Sequence, residues 1–337
     1  MHKPELKTPP PPEIAYLDLD MPIFSAASAC QQIWYVAKTP AGDEVARFDS
    51  AAAYKNWVEL SQEFGFDIEH GFDGDWDSLE RHVEYDYKDI NHGYKALDNI
   101  IESWVLQSGC KDWVGYVSKQ SGARNFRYDV STYLPYKGNR KNDLPKYLED
   151  IRRYARKHPN IKIAYGNWEV DDVTCALAQK KKWRGCVVSG DKDARGVNNT
   201  HFLIPDQMPT PQFSSSKIVG RLWLDGKEVR GYGWLWWLWQ SCSGDPVDNI
   251  RGIDGVGKKG AYNLLQEFDE VDIKYLEDAV QTVLAKYQEV YGDEYKYTHC
   301  WTGEDVIVTG ADLMKENLQL VYMLKNRSDV CPLLEMV

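Results

Sequence analysis

The sequence predicts an α/β fold: a mostly parallel central sheet with flanking helices, followed by a mainly helical region beyond about residue 220. Three observations predict it. Short apolar runs alternate with helix-length amphipathic stretches through the first two thirds of the chain. Acidic residues fall just after those apolar runs. Past residue 220, a Trp-rich segment and a Gly-rich turn lead into further helical patterns.

Taken in order, residues 1–13 (MHKPELKTPPPPE) read as a mobile leader stiffened by four consecutive prolines. IAYLDL (14–19), WVGYV (113–117), IKIAYG (161–166) and GCVVSG (185–190) read as buried strands. Helical patterns at about 50–64, 93–108, 143–157 and 169–182 separate them, and that interleaving calls for parallel pairing. Residues 34–49, two strand-like runs around Pro-Ala-Gly-Asp, suggest an added hairpin. Helical patterns near 258–267, 273–291 and 311–326 close the chain. The expected organisation is a leader (1–13), an α/β domain (14–220) with an acidic insertion at about 30–110, and a helical region (221–337).

The 337 residues carry 40 Lys+Arg and 51 Asp+Glu, a net charge of −11. Taken whole, that charge argues against a nucleic-acid partner. Its distribution reverses the inference. Residues 43–102 hold 16 of the acids and only 5 of the bases, so the remainder balances. Residues 137–184 hold 13 bases against 6 acids, a segment suited to phosphate. The acidic segment reads as a solvated face or as the surface for a protein partner. A calcium-loop spacing at Asp73, Asp75, Asp77 and Glu84 lacks the turn glycine, so calcium is not expected there. The seven cysteines form no CxxC pair, which disfavours a zinc cage and fits a reducing, cytoplasmic setting. No apolar run is long enough for a membrane span, and no membrane partner is expected.

The acids that follow the strands carry the chemistry. Asp18 and Asp20 end the first strand, Glu169, Asp171 and Asp172 open the helix after the third, and Asp191 and Asp193 follow the fourth. In a parallel sheet the carboxyl ends share one edge, so these acids should converge. Clustered carboxylates stay ionised only when cations neutralise them, and an all-oxygen set favours Mg²⁺ or Mn²⁺. Two such ions suit phosphodiester hydrolysis.

Two further segments point to phosphate. GDPVDNIRGIDGVGKK (244–259) combines Asp245 and Asp248 with a turn whose glycines, including Gly255 and Gly257, present amides beside Lys258 and Lys259. YKGNRK (136–141) places Lys137 and Arg140 three apart, where they can hold a scissile phosphate. The tryptophans at 234, 236, 237 and 239 are expected mainly to pack a core beneath the Gly-rich turn, although base stacking is the other use of such a cluster.

These motifs, in this order, resemble the 5′ nuclease superfamily, specifically the phage-type 5′→3′ exonucleases and flap endonucleases. LDLDMPIF (17–24) is similar to the first metal motif, WEVDD (168–172) and SGDKD (189–193) to the central acids, and 244–265 to the helix–three-turn–helix motif. The resemblance implies a PIN-like fold with a helix–three-turn–helix at about 244–268. It implies that Asp18, Glu169 and Asp171 serve one metal and Asp191, Asp193, Asp245 and Asp248 the other, with Asp20 and Asp172 behind them. It also implies that Lys137 and Arg140 engage the scissile phosphate. Tyr136, Lys141, Arg251, Gly255, Gly257, Lys258 and Lys259 would then contact DNA, and carbonyls of Ile250, Ile253 and Val256 would hold K⁺.

Two departures stand out. By the resemblance an aspartate is expected at the end of the second strand, where this chain has Ser118, with Asp129 a candidate substitute. The interval from Lys137 to Glu169 has room for about one helix, which favours a simple exonuclease over a threading flap enzyme. The expected activity is metal-dependent 5′→3′ cleavage of duplex DNA at ends, nicks or flaps, in the cytoplasm, or in a host cytoplasm for a phage protein. The alternatives are a catalytically weak DNA-binding relative, motivated by Ser118, and an RNA-directed nuclease.

Overall fold

Strands as apolar as these need partners on both edges, and the computed structural model of the chain supplies them. It describes residues 1–64, 76–120, 122, 124–140, 144–326 and 329–337. The chain forms two compact units, one comprising 1–22, 100–143 and 155–337, the other 23–99 and 144–154.

The larger unit is built on a six-stranded sheet. Its strands are Ile14–Asp18 (β1), Asp112–Val117 (β2), Ile161–Ile163 (β3), Gly185–Val188 (β4), Thr200–Leu203 (β5) and Gln212–Ser214 (β6). Their order across the sheet is β3-β2-β1-β4-β5-β6. All neighbours pair parallel except β5 and β6. β1 is central, and its residues 15–18 are buried, as are all residues of β4 and β5. Such sidedness explains their continuous apolar sequences. The register sets Asp18 opposite Tyr116 and Leu17 opposite Val188, so the carboxyl ends of β1, β2 and β4 lie together.

The mostly parallel α/β sheet with flanking helices matches the expected class. Beyond residue 220 the chain is less purely helical than expected. Gly220–Asp225 pairs with Glu228–Gly233, and Tyr295–Thr298 with Asp305–Val308, as antiparallel hairpins. Their turns and exposed alternate residues dilute the apolar pattern that marks a strand. The helices Trp234–Ser243, Lys258–Leu265, Leu276–Tyr291 and Gly310–Val321 complete this part.

The Trp-rich helix packs rather than displays its rings. Trp236, Trp237 and Trp239 are buried, with Trp236 and Trp239 stacked at 4.7 Å between centroids. Trp237 lies so close to Gly196 that a Cβ there would fall 1.7 Å from its ring. This presses the helix directly against the turn that follows β4. The last turn of the same helix passes into Gly244, which has φ 70° and faces the backbone of Ile250 and Arg251. Only a residue without a side chain allows that approach.

The smaller unit holds most of the acidic segment. Gln31–Lys38 is flanked by Glu44–Phe48 and Glu80–Tyr87 in an antiparallel three-stranded sheet. The helix Ala51–Phe64 follows the hairpin, and Tyr54 and Trp57 from it pack on Ala37 and Ala46. Asp73 and Asp75 lie outside the described residues. Glu84 is engaged by Lys38 and Arg47, each at 2.7 Å.

Candidate metal centre

Acids from distant parts of the chain gather into two groups. One consists of Glu169, Asp171 and Asp172, the other of Asp193, Asp245 and Asp248, with one ligand atom per residue lying within 4.8 Å of the others in its group. Asp18 and Asp20 sit at the end of β1 and the start of the helix Asp20–Ser28. Asp191 caps the short 3-10 turn Lys192–Gly196 and accepts a hydrogen bond from the Asp193 amide.

The first group stands at the start of the helix Val170–Lys181. Glu169 caps it, and the carboxylate of Asp172 accepts back from the Glu169 amide. The dominant counter-charge is Arg127, which sequence reasoning missed. Its guanidinium is fully buried, donates to Asp172 at 2.8 and 2.9 Å and to Glu169 at 3.0 Å, and is anchored on the carbonyls of Leu320 and Tyr322. Asp172 also accepts from the Leu324 amide. Its carboxylate is therefore spent on the scaffold, which places it behind the group, not at the front with Asp171. The Asp171 carboxylate accepts one bond, from the Asp172 amide, among the described residues. Burial, with Glu169 and Asp172 adding to it, pushes the Asp171 carboxyl well above its ordinary range. Burial would raise Glu169 too, but Lys137 and Arg127 outweigh it and hold that carboxyl low.

The second group depends on the turn after β4 and the loop after the Trp-rich helix. Gln240, from that helix, donates to Asp193 at 2.7 Å. Lys192 donates to Asp245 at 2.5 Å, and the other Asp245 oxygen accepts from the Val247 amide. Burial pushes Asp193 up to about 8, with Asp191 adding to it and Lys192 opposing. Lys192 is held above the usual lysine range although burial pulls it down, because Asp193, Asp191 and Asp245 surround it. A lysine between the two acids of SGDKD was a readable hint of this pairing. Gln240, a polar residue closing a run of Trp and Leu, was another.

The two groups share one site. The Tyr136 hydroxyl donates toward both Glu169 at 2.9 Å and Asp248 at 2.8 Å. Lys137 pairs with Glu169 and lies 3.9 Å from Asp248. Burial raises the Tyr136 hydroxyl well above its usual range, and Glu169 and Asp248 add to this. Tyr136 is 2% exposed, so it braces the acids from below; the expectation that it contacts DNA does not fit its position. The loop carrying these residues is stitched to the Asp248 loop. The Lys137 amide donates to the Asp248 carbonyl, Asn139 to Pro246, Asn249 to Pro135, and Arg140 to the Asp248 carboxylate.

Asp18 is buried and accepts from Ser189 at 3.0 Å. Burial raises it to about 7, with Asp20 and Asp191 contributing. Ser118 supplies no ligand charge but donates to Asp20 through both its amide and its hydroxyl. An aspartate at 118 would set a second carboxylate against Asp20. Asp129 is not a substitute: it is exposed and paired with Arg124 at 2.7 Å.

Among the residues expected to face DNA, Lys258 is exposed and paired with Glu228, Arg251 is paired with Asp254, and Lys259 is exposed. A side chain at Gly255 or Gly257 would meet open space. Lys141 lies outside the described residues. Ile250 and Ile253 are buried, and their carbonyls accept from the Asp245 and Val256 amides, leaving one lone pair each.

A protein of Aquifex aeolicus named 5′-3′ exonuclease is 27% identical over 151 residues, covering 43% of this chain and half of that protein. Another of that name from Buchnera aphidicola is 28% identical over 208 residues, covering 59% of this chain and 65% of that protein. The chain is thus similar to two bacterial proteins named 5′-3′ exonuclease. It also matches DNA polymerase I of Bacillus caldotenax, 26% identical over 195 residues, or 54% of this chain and 20% of the polymerase. The chain thus spans between about a fifth and two thirds of the lengths of these relatives. No protein-family model matches it. A solved structure of the T5 D15 protein co-crystallized with metal ions superposes with TM-score 0.40 and 17% identity, covering 68% of this chain and 82% of that one. Among the described residues, no helix is long and apolar enough to cross a membrane.

The donor set fits divalent cations. Three aspartates, Asp18, Asp171 and Asp193, are pushed toward protonation, first by burial and then by neighbouring carboxylates. Hard, oxygen-preferring ions supply opposing positive charge at neutral pH.

Proposed function

We propose that the chain is a divalent-metal-dependent 5′→3′ exonuclease that hydrolyses phosphodiester bonds of duplex DNA at 5′ ends, nicks or flaps. The observation that carries this reading is the bridge from Glu169 to Asp248 made by Tyr136 and Lys137, which joins two acid groups into one centre at the carboxyl edge of the sheet. The relatives named 5′-3′ exonuclease support it.

In this reading Asp18, Glu169 and Asp171 face one ion, while Asp191, Asp193, Asp245 and Asp248 face the other. Mg²⁺ or Mn²⁺ bound there would supply an activated water and neutralise charge on the departing 3′-oxygen. Lys137 remains fixed against Glu169, close to where the scissile phosphate must lie. Arg140, whose side chain is half exposed, is free to leave Asp248 for a phosphate oxygen. Arg251, Lys258 and Lys259 grip the backbone of the duplex, with Gly255 and Gly257 allowing close approach at the helix start. Carbonyls of Ile250, Ile253 and Val256 form the K⁺ site, and the acidic unit serves a protein partner.

The test is incubation of 5′- and 3′-labelled duplex, nicked and flap DNA with Mg²⁺, Mn²⁺ or EDTA, alongside Asp191→Ala. Metal-dependent release from 5′ ends is expected. Cleavage that survives both EDTA and Asp191→Ala would sink the proposal. The rival reading, a DNA-binding relative without cleavage, rests on Ser118 in place of an aspartate, and the relatives named 5′-3′ exonuclease do not favour it. Gel shifts without cleavage in either metal would select it.

A further inference from the structure

Lys192 is the one cation paired with Asp245 among the described residues, and its side chain is a third exposed. Its ammonium lies 2.5 Å from one oxygen of Asp245, while the other oxygen is committed to the Val247 amide. Asp191 and Asp193 flank it along the chain in the same short turn. We propose that Lys192 holds the cation position of the Asp193–Asp245–Asp248 group, and that a divalent ion enters only by displacing its ammonium.

This inference rests on the metal-centre reading above and adds a step to it. The geometry allows the exchange. The Lys192 side chain is 34% exposed while Asp245 is 5% exposed, so the ammonium can swing into solvent on its flexible stem as the carboxylate stays in place. The counter-charge of the first group has no such freedom. Arg127 is fully buried and bound to the Leu320 and Tyr322 carbonyls as well as to its acids.

Entry of the second ion is then an exchange of one positive charge for two. A singly charged group must leave before a doubly charged one binds, so the lysine lowers affinity for the second ion. Without it, Asp245 would have no cationic partner among the described residues, while Asp248 would keep Arg140 and Lys137. Lys192 thereby sets the metal concentration at which the second site fills.

The test is calorimetric titration of DNA-free protein with Mn²⁺, comparing wild type, Lys192→Met and Lys192→Arg. Two binding steps are expected in wild type. The weaker should tighten about tenfold in Lys192→Met, the equivalent of one modest ion pair removed, and return toward wild type in Lys192→Arg. Unchanged or weaker binding of both ions in Lys192→Met would overturn the proposal. A measurement on the wild-type protein does not depend on the variants folding. Reductive methylation read by mass spectrometry should label Lys192 faster when Ca²⁺ is present than when it is absent. An equal or slower rate would refute displacement. If calorimetry detects no Mn²⁺ binding in any of the three proteins, the metal-centre reading itself fails and takes this inference with it. Two ions bound with equal affinities in all three would leave that reading standing and remove only this one.

Discussion

The Glu169–Asp171–Asp172 group and the Asp193–Asp245–Asp248 group each hold three carboxylates, yet they are neutralised differently. The first has a permanent buried guanidinium that ties it to the end of the helix Gly310–Val321. The second relies on side chains with more freedom: the Lys192 ammonium at Asp245, the Gln240 amide at Asp193, and the half-exposed Arg140 with Lys137 at Asp248. The difference separates scaffold charge from exchangeable charge. Arg127 makes Asp172 part of the fold, whereas Lys192 leaves Asp245 available.

The comparison can be broken from either side. Replacing an acid should have the largest effect. Asp193→Asn is expected to lower the rate of metal-dependent cleavage by about 10²–10³-fold, with circular dichroism unchanged. Activity retained within a few-fold would mean that the second group is not part of the site. Arg127→Met should instead act on stability. It leaves Asp172 buried and unpaired, a loss of about 3–5 kcal/mol by urea unfolding that added Mn²⁺ does not restore. Full rescue by metal would mean that the two groups are neutralised alike.

A third expectation concerns pH. Asp18 and Asp193, raised to about 7 and about 8, bind protons in the folded chain that they release on unfolding. The stability this contributes is fully present below the ordinary carboxyl range and is lost as pH rises through those values. Bound divalent ions select the ionised form, so the Mn²⁺-induced rise in Tm should be larger at about pH 8 than at about pH 6. Scanning calorimetry with and without Mn²⁺ checks this, and a rise independent of pH counts against both acids as ligands. The smallest effect belongs to the periphery. Lys258→Ala with Lys259→Ala should weaken DNA binding at every sequence and lower the salt slope by about 1–2, as seen in binding titrations over a range of KCl. An unchanged slope would remove the Gly-rich turn from the interface.

β1 and β4 were the most legible because they are buried along nearly their whole length and read as unbroken apolar runs, whereas the short β5 and β6 were not read. The acids were legible for a related reason: a carboxylate directly after such a run must lie at the edge of the sheet. Hairpins at 220–233 and 295–308 were not, since half their residues face solvent and their alternation is interrupted by glycine and charge. Arg127 left no local trace. Its meaning depends on the carbonyls of Leu320 and Tyr322, nearly two hundred positions away, and no spacing near RNFRYD announces them. Ser118 was readable as a missing charge but not as the donor that fixes Asp20, which only the register of β1 and β2 reveals.

Tyr136 has a single hydroxyl proton and two carboxylate neighbours, Glu169 and Asp248. It cannot satisfy both fully at one moment. Whichever acid is better neutralised by other means has less need of that proton, which then turns toward its rival. Loading one side of the centre therefore alters the hydrogen bonding on the other. By thermodynamic reciprocity, each occupancy changes the free energy of the second by an equal amount. In the proposed two-ion centre, a buried phenol would thus make two ion-binding events one linked equilibrium.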